Sequence, residues 1–130
     1  MSDKEPVSQW RLAWLTSAYV LVAAVVYFSL ARLDVDIQAE GGDKVAHVLA
    51  YALLTFWFMQ IYVALRPRVA IAAGLVALGI MLELLQGYTG YRNFDYVDMI
   101  SNTIGVALGW IAAPPRTPSL LARLESAVSG

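Results

Sequence analysis

Four runs of apolar residues, separated by short polar intervals, organise the chain. Residues 12–31 carry no charge over twenty positions. At 1.5 Å per residue a helix of that length reaches about 30 Å, the thickness of the hydrocarbon core of a bilayer. Residues 45–65 form the second run, interrupted by His47 and Gln60, and residues 69–87 the third, which carries Glu83 and Gln86. The fourth and shortest, residues 97–113, holds Asp98 and Asn102 and is closed by Pro114-Pro115. Proline lacks an N–H and obstructs the preceding helical turn. The pattern predicts an all-α fold: a small polytopic membrane protein of one domain over residues 1–130, with four transmembrane helices in an antiparallel bundle. Arg66-Pro67-Arg68 predicts a tight turn between the second and third helices. In the tail, residues 114–130, Leu120, Leu121, Leu124 and Val128 recur at helical spacing. Two outcomes stay open there, a helix lying flat on the membrane surface or a frayed polar end. The first run exceeds the roughly 7–15 apolar residues of a cleaved signal, so it is expected to be retained as a helix.

Composition narrows the class further. Of 130 residues, 59% are apolar and 15% charged, against roughly 45–50% and about 25% in soluble domains. That leaves too few charges to cover a water-facing surface, and it excludes a disordered chain. Nine Lys+Arg against ten Asp+Glu leave no basic footprint for nucleic acid. The absence of cysteine excludes disulfides, a thiolate nucleophile and a cysteine-based zinc site. Lys and Arg are retained in the cytoplasm, which orients the helices. With the N-terminus inside, Lys4, Arg11, Arg66, Arg68, Arg116 and Arg123 lie on the cytoplasmic side, and Arg32, Lys44 and Arg92 outside. This bias favours both termini in the cytoplasm.

The polar residues within the apolar runs are the informative ones. An ionised residue near the bilayer centre costs roughly 2.5–3.5 kcal/mol on insertion scales and usually faces the bundle interior with a partner. In an antiparallel bundle, His47, Glu83, Gln86, Asp98 and Asn102 all fall at the same end. Asp43 and Lys44 lie just above His47, and Arg92 and Asp95 lie in the loop at that end. Asp98 and Asn102 are four apart and stack on one helix face, which Gly105 and Gly109 continue. The glycine pair suits close helix packing. Gly79, Glu83 and Gln86 share a face of the third helix, as Asp43, His47 and Tyr51 do on the second. Individually these residues have ordinary structural uses: Asp98 as a helix-start acid, Asn102 as interhelical glue, His47 as an interfacial histidine, Gln60 as a polar residue near the other end.

The segment Asp43-Lys44-Val45-Ala46-His47-Val48-Leu49-Ala50-Tyr51 resembles the D-K-x-x-H-x-x-x-Y signature of the VanZ-like membrane proteins. Glu83-Leu84-Leu85-Gln86 followed by Arg92, Asp95, Asp98, Asn102, Gly105 and Gly109 resembles a second signature of that family. The pair before the arginine reads Gly90-Tyr91 here, where the family often has Pro-Gly. The resemblance runs from Asp43 to Trp110. It implies a polytopic protein of the bacterial cell envelope, placed in the inner (cytoplasmic) membrane. It also implies a link to glycopeptide antibiotic tolerance, since the founding member is associated with resistance to teicoplanin.

Two functional classes are expected from the cluster, with a structural polar knot as the third outcome. In the first, a binding protein, Lys44, Arg92 and protonated His47 meet an anionic lipid headgroup or a lipid-linked cell-wall precursor, and no cofactor is needed. Arginine suits phosphate because its planar fork donates in parallel. Asp43, Glu83, Gln86, Asp95, Asp98 and Asn102 then orient the cations or contact the headgroup. In the second, a membrane enzyme, His47, Glu83 and Asp98 hold a divalent metal that acts on a polyprenyl phosphate. No nucleophile motif, phosphate loop or HExxH accompanies it, so the chain leans away from catalysis.

Overall fold

The computed structural model describes residues 9–30, 42–89, 96–114 and 116–129. They form five helices, α1 Gln9–Leu30, α2 Gly42–Ile61, α3 Leu65–Thr89, α4 Tyr96–Ala112 and α5 Leu120–Ser129, with no strand among the described residues. Three segments, Trp10–Leu30, Lys44–Ile61 and Leu65–Tyr88, are long and apolar enough to cross a membrane. The fourth predicted span, α4, has 17 residues, about 25 Å of helix. Large apolar side chains point outward along these helices, among them Tyr19, Tyr27, Leu49, Leu53, Met81 and Leu84. A surface of that kind suits a hydrocarbon solvent rather than water.

The core is small. Tyr51, Leu54, Leu75 and Val106 meet at its centre, joined by Leu21, Val22 and Val25 from α1. The tightest packing is between α2 and α4. A β-carbon added at Gly105 would lie 2.5 Å from the Val48 carbonyl oxygen, and one at Gly109 would lie 2.4 Å from that of Ala52. Both distances are below any contact a real side chain makes, so only glycine lets the two backbones touch. The pairing rises along both chains together, so α2 and α4 run in the same direction. The opposite order holds against α3, where Gly79 meets Asn102 and the later Glu83 meets the earlier Asp98. On the other flank Trp14 of α1 stacks on Trp57 of α2, with ring centroids 4.1 Å apart and planes at 9°. Each indole also donates to the other's backbone carbonyl, Trp14 Nε1 to Trp57 at 3.0 Å and Trp57 Nε1 to Trp14 at 3.2 Å. Stacking supplies the contact area and the N–H groups are satisfied within the same joint.

Several predicted boundaries shift for identifiable reasons. Arg66-Pro67-Arg68 is not the turn; it is the first turn of α3, and the connection is residues 62–64. Proline is tolerated there because its missing N–H has no acceptor within the helix. The Arg68 N–H makes the first α-type bond, to Ala64 O at 3.3 Å. Its side chain is 4% exposed and folds back: Nε donates to Tyr62 O at 2.7 Å and Nη2 to Met59 O at 2.9 Å. These carbonyls at the end of α2 lack helical partners. The guanidinium therefore stops α2 at Ile61, short of the predicted residue 65.

The tail resolves in favour of a helix. Ser119 caps α5, its Oγ accepting from the Ala122 N–H at 3.1 Å, the ordinary use of serine at a helix start. A second free N–H of that first turn, from Leu120, donates to Gln60 Oε1 at 2.8 Å. Gln60 Nε2 donates to Phe56 O at 3.4 Å. Gln60 is thus a buried strut between α2 and α5, a role that its position in the sequence does not reveal. Leu121 is buried beside it.

Candidate functional site

At the end of the molecule opposite Gln60, three helices deliver polar side chains to one place. Lys44 and His47 come from the first turns of α2, a spacing that puts both on one side of the helix. Asp98 comes from the first turn of α4, where its charge is also favoured by the N–H groups of the helix start. Glu83 comes from α3, six residues before that helix ends at Thr89; α3 runs two residues beyond its predicted limit, so Glu83 lies deeper than the last turn.

The Lys44 ammonium donates to Asp98 Oδ1 in an ion pair. His47 Nε2 stands 4.0 Å from Asp98 Oδ2, beyond hydrogen-bond length and within coulombic reach when the imidazole is protonated. One donor atom each from His47, Glu83 and Asp98 lies within 4.8 Å of the others. Glu83 is 2% exposed and Asp98 8%. The Lys44 side chain keeps 28% of its surface, so the carboxylates are enclosed and the lysine is half-buried.

Asn102 sits one turn further along α4, 3% exposed, with its amide against Gly79 of α3. Its Oδ1 is buried with no hydrogen-bond partner, a state that costs about 1–3 kcal/mol unless something supplies a proton or a positive charge. Ser101, also buried, spends its hydroxyl on Val97 O at 2.9 Å. Gln86 donates from Nε2 to Ser29 O of α1 at 2.6 Å, which ties α1 to the site and makes Gln86 first a strut.

The structure therefore brings together Lys44, His47, Glu83, Asp98 and Asn102, and it places Gly105 and Gly109 on the α2 contact. Asp43 is the second residue of α2, one before Lys44. Arg92 and Asp95 lie outside the described residues. Sequence reasoning missed the buried roles of Gln60 and Arg68. The sequence places Arg68 in a turn and among the topology charges, and its place just after an apolar run is the one signal of the buried role.

The sequence model of the VanZ/LLP1 family matches residues 4–120, a stretch that contains every residue of this site. No curated protein and no solved structure matches the chain.

Proposed function

Because the chain belongs to the VanZ/LLP1 family, we propose that its polar cluster binds an anionic lipid headgroup or a lipid-linked cell-wall precursor in a bacterial cytoplasmic membrane. A link to glycopeptide tolerance is part of this proposal, which the founding member's association with teicoplanin resistance suggests. The supporting observation is the convergence, from three helices, of half-buried Lys44 and His47 on buried Glu83 and Asp98. Apolar side chains would pack the same space at lower cost, so a polar cluster there has a use beyond packing. Lys44 is the proposed point of entry: its ammonium pairs with Asp98 and its side chain keeps 28% of its surface, where a phosphate would share the charge. Purified in mild detergent, the protein is expected to retain a phosphate-bearing lipid visible by native mass spectrometry. Lys44→Met should strip that lipid, and wild-type protein that carries none would sink the proposal.

The bilayer arrangement proposed with it is four spans with both termini cytoplasmic. The 17 residues of α4 reach the lower limit of about 17 residues for a membrane helix. In this orientation α5 lies at the inner surface, where exposed Leu120 and Leu124 enter the headgroup boundary and exposed Arg116 and Arg123 face anionic lipid. The polar cluster then sits in the outer half of the membrane. The chain has no cysteine, so single cysteines report sidedness cleanly. A cysteine at Glu40 should react with an impermeant thiol reagent from outside intact cells, and one at Arg116 only after lysis. The reverse pattern would invert the site.

A further inference from the structure

We propose that His47, Glu83 and Asp98 form a divalent transition-metal site, with Asn102 Oδ1 as a further oxygen donor. The donor set is one imidazole and two carboxylates, all within 4.8 Å. That mixture suits Zn²⁺ or Mn²⁺ better than the oxygen-only shell of Ca²⁺ or the water-rich shell of Mg²⁺. Ligands at about 2.0–2.2 Å from a tetrahedral zinc stand about 3.3–3.6 Å apart, so side-chain movements of about 1 Å close the group onto an ion. The three donors come from three separate helices. Such an ion therefore fastens α2, α3 and α4 at one point.

Asn102 is the independent observation. It is 3% exposed, its Oδ1 has no partner, and it stacks one turn from Asp98 on the same face of α4. Its amide rests on Gly79, one turn before Glu83 on α3. A buried carbonyl oxygen left without a partner, one helical turn from Asp98 and packed on the residue one turn before Glu83, suits a cation or a water that the cation holds. Lys44 is the resident competitor, because its ammonium already occupies one oxygen of Asp98. Ion and lysine together would then face an entering phosphate with positive charge, although the carboxylates carry the opposite sign. That role of the ion rests on the headgroup reading above, whereas the presence of the ion does not.

The test uses the full chain without a polyhistidine tag, stripped with EDTA in lipid-free detergent. It is titrated with Zn²⁺, Mn²⁺ and, as a spectroscopic probe, Co²⁺. One ion per chain is expected to survive washing, with visible Co²⁺ absorption that His47→Gln alters. His47→Gln and Glu83→Gln should each weaken binding by about tenfold or more. Lys44→Met should tighten it by about tenfold, because the competing ammonium is gone. That gain keeps the proposal falsifiable even where a ligand variant fails to fold. Gln60→Ala, at the far end, should bind as the parent does. Absence of a retained ion overturns the site, as does unchanged affinity in both His47→Gln and Lys44→Met. Lipid retention measured with and without EDTA separates the two proposals: lipid held equally well after the ion is stripped overturns the ion's part in headgroup binding, and an ion bound by protein that holds no lipid overturns the headgroup reading alone.

Discussion

Gly109→Ala is expected to destabilise the protein by about 1–3 kcal/mol, the usual cost of forcing an extra methyl into a packed interior. The new carbon would lie 2.4 Å from the Ala52 carbonyl and 2.7 Å from the Thr55 β-carbon. Backbone cannot rotate aside, so α4 must lift from α2. Gly105→Ala meets the Val48 carbonyl at 2.5 Å and should cost as much; Gly105→Leu should cost more. Two glycines of α3 grade the effect. At Gly79 the nearest obstacle is the Asn102 side chain, its Nδ2 at 2.8 Å, which can move, so Gly79→Ala should be milder. At Gly74 nothing lies within 4 Å, and alanine there should be neutral or slightly stabilising, since it is the better helix former by up to about 1 kcal/mol. Melting temperature in detergent, read across the four alanine variants, checks the order. A Gly109→Ala variant as stable as Gly74→Ala would mean that α2 and α4 do not touch.

The second large effect concerns Asp98. Asp98→Asn removes the charge that holds Lys44 and leaves the ammonium against a neutral amide. Breaking a well-buried ion pair costs roughly 3–5 kcal/mol, while an exposed one is worth about 0–1. With Asp98 largely enclosed and Lys44 partly open, a loss of about 2 kcal/mol is expected. The double variant Lys44→Met with Asp98→Asn should recover most of that stability, because no unpaired charge remains. Function separates binding site from packing knot. A binding site lost in Asp98→Asn stays lost in the double variant, whereas a knot regains function together with stability. Membrane abundance and melting temperature beside lipid retention give both readouts. Full retention of lipid by the double variant would reduce the cluster to scaffold.

The helical runs were legible because a bilayer imposes a length and an apolar composition that few other constraints mimic. The site was legible in depth and face, since i, i+4 spacing sets the face and alternation of helix direction sets the depth. Hence Lys44, His47, Glu83, Asp98 and Asn102 could be grouped before any coordinates. Which residue binds which was not legible. Gln86 shares a face with Glu83, yet it bonds to α1, because a long amide reaches whichever bare carbonyl lies nearest. Likewise the glycines announced a close contact without naming α2 as the partner. The start of α3 went astray for a different reason. Proline reads as a breaker from local propensity, and only the position of Arg68 under the end of α2 shows that the helix begins before it.

Contact between the backbones of α2 and α4 also acts as a ruler. Val48 and Ala52 each seat one glycine of α4, so the two helices share a four-residue tooth spacing, about 6 Å along the axis. A slide of one residue, about 1.5 Å, would carry a side chain of α4 onto a carbonyl of α2. Even a four-residue shift would put Ser101 or Ala113 where a glycine now sits, so the pair holds one register, and the height of Asp98 beside Lys44 and His47 is set from two turns away. An occupant cannot open the cluster by drawing α4 past α2. Any widening must come from α3, whose hold on α4 near the cluster passes through side chains, Asn102 against Gly79 and Glu83 beside Asp98. Of the three helices, α3 with Glu83 is then the one whose backbone can shift against the cluster, and α2 with α4 serves as the fixed jaw.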